Sequence, residues 1–183
     1  HPTNRRQRQM CIRDRPYTIE HSTTFKNNSG SAKALSTIYF NLGTARPITE
    51  EMIGVNFLNV GYFDGQDAEF IPIKKLTGGK GFLGIGASDP KDVIAEAARI
   101  EWSSVKNQFF ASVLSSGTVA NNVFVYPVEA PSDVINQPGR LGISGSVGYE
   151  LGTLTAGESK SLDFQYFVGP KEFKRLQALS LIH

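Results

Sequence analysis

The sequence predicts an all-β fold, an antiparallel sandwich or barrel, closed by one short amphipathic helix near the C-terminal end. Three observations carry that expectation. Segments rich in β-branched and aromatic residues recur along most of the chain. Gly, Pro and Asn clusters of turn-forming type separate them at short spacing. The repeated strand–helix alternation of a parallel α/β fold does not occur.

Taken in order, residues 17–26 (YTIEHSTTFK) read as a strand ending at Asn27-Asn28-Ser29-Gly30, a cluster suited to a tight turn. Residues 35–42 (LSTIYFNL) are expected to be the return strand. Residues 55–63 (VNFLNVGYF) alternate and stop at the turn dipeptide Asp64-Gly65. Residues 69–76 (EFIPIKKL) form a short strand, and Pro72, lacking an N–H, places it at an edge. A helix is expected next, capped by Ser88 or Asp89, with Pro90 and Asp92 in its first turn and Val93, Ile94, Ala97 and Ala98 on its apolar face. Strands resume over residues 100–115, interrupted by the polar Lys106-Asn107-Gln108, and continue over 122–128, 141–151 and 159–168. Residues 170–179 (PKEFKRLQAL) put Phe173, Leu176 and Leu179 on one stripe, with Lys174, Arg175 and Gln177 outside. So short a helix is marginal alone and must dock on the β domain.

The 183 residues suit one domain with a sizeable core. No apolar run approaches the ~18 residues of a spanning helix. The net charge of +2 is unevenly spread: residues 1–15 hold five Arg and one Asp, leaving the remainder slightly acidic. That stretch resembles translated sequencing-adaptor read-through, as does the LSLIH ending. Residues 1–15 and 180–183 are therefore expected to be non-native tails, not a nucleic-acid or membrane arm or a signal peptide.

Catalytic inventories are thin. One Cys and three His leave little for thiol or metal chemistry, and His21, expected on a surface or edge strand, is the only His outside the tails. Gly79 to Gly84 fits G-x-G-x-x-G, but the loop runs on to Pro90 before any helix, so nucleotide binding is not expected. Trp102 with Phe109 and Phe110 suits a sugar platform or, preferred here, sandwich core. Asn27-Asn28-Ser29 matches a glycosylation acceptor, a pattern short enough to arise by chance. No catalytic, cofactor-binding or metal-ligating residue is assigned, and no enzyme activity is expected.

Two segments resemble a known family. Trp102-Ser103-Ser104-Val105-Lys106-Asn107-Gln108-Phe109-Phe110 is similar to the W-x-x-x-K-N-Q-[FY]-F stretch in the large periplasmic domain of the YidC family of bacterial membrane protein insertases. Residues 164–179, containing Val168-Gly169-Pro170-Lys171-Glu172-Phe173, resemble the last strand of that domain and the helix after it. The order and separation of the two segments also fit. The resemblance covers residues 16–179 and implies an antiparallel β-super-sandwich of the galactose-mutarotase-like kind, of which this chain is the C-terminal half to two-thirds. It implies a role in inserting and folding inner-membrane proteins, in the periplasm, through contact with Sec translocon accessory subunits and nascent membrane proteins and without nucleic acid or cofactor. Lys171, Glu172, Phe173, Lys174, Arg175 and Leu176 become the candidate positioning helix. Trp102, Lys106, Asn107, Gln108, Phe109, Phe110, Gly169 and Pro170 become structural motif residues. Missing strands would leave sheet edges open to association. Because the same sandwich hosts sugar epimerases and lyases, the alternative is a carbohydrate-binding or carbohydrate-modifying module.

Overall fold

A computed structural model of the chain describes residues 17–47, 52–78, 88–129, 141–172 and 176. Ten strands carry these residues: β1 (Thr18–Lys26), β2 (Lys33–Ala34), β3 (Ile38–Ala45), β4 (Asn59–Phe63), β5 (Ala68–Pro72), β6 (Ile94–Lys106), β7 (Phe110–Glu129), β8 (Leu141–Tyr149), β9 (Thr153–Leu154) and β10 (Ser159–Pro170). Eight of them form one antiparallel sheet, and β2 pairs with β9 apart from it.

The long strand β7 organises the sheet. Its first part, Phe110 to Ser116, pairs with β10, and its second part, Asn122 to Glu129, pairs with β8. On its other side it keeps β6 throughout, with register shifts at Ala97/Ile100 and Ile100/Trp102. Such irregularities bend and twist a strand. One wing is therefore β1-β10-β7 and the other β3-β8-β7, and between them they bury Leu42, Val60, Ile100, Leu114, Val123, Ile143, Leu162 and Phe164. The architecture is all-β and sandwich-like, as the sequence predicts. The layers approach closely at Gly145, where an added Cβ would lie 2.9 Å from Val60 and 3.2 Å from Leu42.

Several expectations hold in detail. β4 and β5 form a hairpin through Asp64-Gly65, where Gly65 has φ +102°, and β5 is the outermost strand beyond β4, as Pro72 requires. β6 and β7 are joined through Lys106-Asn107-Gln108.

Other elements differ, for physical reasons. The helix expected around residues 88–98 is strand: Ile94, Glu96, Ala98 and Ile100 point one way, and Ala95, Ala97 and Arg99 are exposed. Period-two burial against β7 outweighs the helical reading of the same alanines. β1 does not fold back on β3; it pairs with β10 along its whole length. Asn27 explains this, because its amide donates to the carbonyls of Ser31, Leu154 and Thr155 at 2.8, 3.0 and 3.0 Å. That ties the loop after β1 to the loop before β10. The same bonds leave Asn27 only 6% exposed, so its amide is not presented as a glycan acceptor. A 3₁₀ segment, Met52–Phe57, precedes β4, and a single α-helical turn, Lys74–Thr77, follows β5 with Leu76 buried beneath it. Pro170 does not open a helix; it ends β10, opposite Phe110. Of the expected C-terminal helix, residues 173–175 and 177–179 lie outside the described residues; the Leu176 N–H donates to the Glu172 carbonyl at 3.1 Å. The glycine-rich stretch 79–84 and both terminal stretches also lie outside them.

Candidate interaction surface

Side chains alternate across a strand, so Trp102, Ser104 and Lys106 share one face of β6. Register then builds a surface around them. Trp102 lies opposite Phe63, and Ser104 opposite Gly61 and Val113; Lys106 faces Ala111. Val113 in turn faces Phe167, and Gly61 faces Phe70. The Trp102 and Phe63 rings stack with centroids 5.8 Å apart and 13° between planes. Ala111, Val113 and Phe167 form a small buried cluster, separate from the sandwich core, on which Trp102 and Leu176 pack. A groove of ≈ 470 Å³ opens over this surface, and its walls include Phe63, Phe70, Trp102, Lys106, Lys171 and Leu176. Trp102 is thus not a core residue of the sandwich. It is half-buried, because its cluster lies on the opposite face of the sheet. Phe109 and Phe110 are not core either, being about 50% exposed.

Lys106 crosses this groove, its Nζ 3.8 Å from the Phe70 ring centroid, at cation–π distance. Burial, and then the charge of Lys171, push its ammonium down from the ordinary 10.5 to about 8. Burial lowers Lys171 in the same direction. A lowered lysine is protonated less in the folded than in the unfolded chain between pH 8 and 10.5, so its contribution to stability rises with pH across that window. Lys106→Met is expected to abolish most of a gain of about 1 kcal/mol between pH 7.5 and 9.5, a figure kept small because part of the ammonium meets solvent. Urea unfolding of both proteins at the two pH values measures it. An equal gain in the variant would refute the assignment. Tyr62, held by burial and its hydrogen bond to Glu96 Oε2 (3.0 Å), and the buried Tyr149 are both raised to about 12. Their phenols oppose the trend only above about pH 10.

The turn beyond Lys106 is fixed by Asn107. Its Oδ1 accepts from the N–H groups of Phe109 (3.0 Å) and Phe110 (2.8 Å), and its Nδ2 donates to the Arg46 carbonyl at 3.0 Å. The Asn107 N–H closes the turn onto the Phe110 carbonyl. Gln108, half-buried, occupies the turn itself. At the same place Gly169 and Pro170 pair with Ala111 and Phe110, and the Lys171 N–H donates to the Phe109 carbonyl at 2.8 Å. The two motif segments, far apart in sequence, therefore meet. Of the six candidate positioning residues, Lys171 and Leu176 line the groove and Glu172 is exposed; Phe173, Lys174 and Arg175 lie outside the described residues.

His21 lies on the edge strand β1, exposed, with Nε2 2.7 Å from Thr23 Oγ1 and its ring stacked near Phe164. Sequence reading missed Phe63, Phe70 and Arg46 as parts of this surface. Phe63 and Phe70 fall on one face of a recognisable hairpin, Phe63 opposite Ala68 and Phe70 opposite Gly61, which was the available signal. Arg46 joins through a backbone carbonyl, which leaves none.

Fold and surface together define an all-β, sandwich-like domain whose motif residues build a turn and the apolar groove beside it. The family model described as the YidC periplasmic domain matches residues 4–182. The chain belongs to that family. It is an insertase-associated domain, from the periplasmic part of an inner-membrane protein, although no helix among the described residues is long and apolar enough to cross a membrane. No curated protein matches the chain at a significant level.

Proposed function

We propose that this domain acts without bond-making chemistry, as a docking and positioning part of a membrane protein insertase, in contact with Sec translocon accessory subunits and nascent membrane proteins. The observation that carries the reading is the convergence of its two family segments. The turn at Asn107 and the end of β10 at Pro170 are locked together, so the residues following β10 start from a fixed place. A module built to orient its neighbours needs such a rigid junction. An insertase in turn lowers the cost of passing polar-flanked segments into lipid by offering a protein-lined path, which asks for placement, not catalysis.

A photo-reactive residue placed at Gln66, on the groove, or at Glu172, in the full-length insertase that carries this domain, tests the reading in native membranes. Adducts with a translocon accessory subunit or a nascent membrane protein are expected from these positions and not from Glu150, in the loop after β8. Equal labelling from all three positions, or no protein adducts, would remove it.

The stacked Phe63–Trp102 pair favours one competing reading, a carbohydrate site, since sugars pack on flat aromatic faces. Calorimetry with neutral sugars decides: heat of binding that disappears in Trp102→Ala would move the domain to that class.

A further inference from the structure

We propose that the β6–β7 turn, with the strand ends around it, is a membrane-docking tip that seats in the interfacial layer of a bilayer carrying acidic lipids. The proposal deepens the positioning role above and rests on it for the nearness of a membrane.

Four apolar side chains are about half exposed at this end of the molecule: Phe109 (50%), Phe110 (51%), Tyr17 (51%) and Val168 (48%). Phe110, Tyr17 and Val168 share a concavity of ≈ 370 Å³ with Pro170. Folded domains seldom leave adjacent phenylalanines at a turn, where polar residues satisfy both solvent and backbone. Here Asn107 satisfies the turn's backbone from inside, which frees the two rings to face outward. Three cationic residues join the turn. Arg46 is exposed and its carbonyl is held by Asn107; Lys171 bonds through its N–H to the Phe109 carbonyl; Lys106 precedes the turn and leans over Phe70. Glu172 adds one carboxylate beside Lys171.

Aromatic rings bordered by lysine and arginine are the composition that settles at the boundary between headgroups and acyl chains. Basic groups there gain from the negative potential of acidic lipids. The tip is held by four hydrogen bonds within the turn and to Arg46, so docking orders little that is not already ordered. Charge complementarity and the family's periplasmic, inner-membrane setting together select a bilayer over a protein partner.

The arginine-rich residues 1–15 would attach the chain to acidic vesicles by themselves, so the readout has to come from the tip. Trp102 is the only tryptophan. In the full chain carrying Trp102→Phe and Phe110→Trp, the introduced indole is the sole reporter. Mixing with vesicles of phosphatidylcholine plus one-third phosphatidylglycerol should give quenching by lipids brominated on the upper acyl carbons, and little quenching with phosphatidylcholine alone. In that reporter chain, Phe109→Ser should weaken the quenching on acidic vesicles at least tenfold while leaving thermal unfolding intact, and Arg46→Glu with Lys171→Glu should do the same. Vesicle attachment without quenching would overturn the proposal, as would quenching unchanged by Phe109→Ser. An unquenched indole combined with protein adducts from a photo-reactive residue at Gln108, within the tip itself, would make the tip a protein-docking surface, refuting the membrane tip while leaving the positioning role standing.

Discussion

Asn107→Ala should lower the unfolding free energy by about 2–4 kcal/mol, a large fraction of the 5–15 kcal/mol typical of a folded domain. The residue is 9% exposed, and its side-chain amide makes three hydrogen bonds, accepting two and donating one. Alanine would strand the N–H groups of Phe109 and Phe110 and the carbonyl of Arg46 together, and stranding a buried polar group costs about 1–3 kcal/mol. Solvent at the turn recovers part of that sum, since both phenylalanines are half exposed. Asn107→Asp separates the two halves of the interaction: the carboxylate still accepts from Phe109 and Phe110 but loses the donor to Arg46. Its loss should be smaller, about 1–2 kcal/mol. Urea titration ranks the three proteins. Amide exchange at Phe109 and Phe110 should accelerate in the alanine variant before any other strand end. A loss under about 0.5 kcal/mol for alanine would mean that the turn is held by its strands alone.

That residue also shows how much was legible in the sequence. A polar Lys-Asn-Gln break between two apolar stretches was legible as an interruption of the strand, and the structure makes it a hairpin turn. The same holds for Asp64-Gly65 and for Pro72 on the edge strand, where one residue's backbone limits decide the outcome. Pairing between distant strands was not legible. Nothing local to β1 says that β10 and not β3 is its neighbour, because that choice rests on Asn27 reaching carbonyls more than 120 residues away. Likewise the alanines of β6 carry a helical pattern, and only the open side of β7 makes them strand. Within the surface, Trp102 and Lys106 were legible as members of one motif in a strand segment. That they share a face, and which face, was not. It took Phe63 and Phe167, brought in by register, to show that this face is a groove outside the core.

The two faces of the sheet should separate in their response to truncation. Phe164→Ala is expected to cost about 3–5 kcal/mol, enough to bring a domain of ordinary stability close to unfolding. Phe164 is 4% exposed, with the Phe40 ring centroid 4.2 Å away and Tyr149 5.4 Å away, on β3 and β8 of the other wing. Removing it opens a cavity at the meeting point of β10, β3 and β8 that those rigid rings cannot collapse to fill. Trp102→Ala removes a larger side chain, yet should cost only about 1–2 kcal/mol. One flank of the indole packs on Phe63 and the small Ala111–Val113–Phe167 cluster, while another borders the open groove, so less apolar surface returns to water and no closed cavity forms. Paired urea titrations give the comparison directly. If Trp102→Ala cost as much as Phe164→Ala, the indole would belong to a second sealed core and the groove would be a gap in packing. If the order holds, an indole that contributes little to stability sits in a lysine-flanked groove beside the rigid turn, where a binding surface needs it.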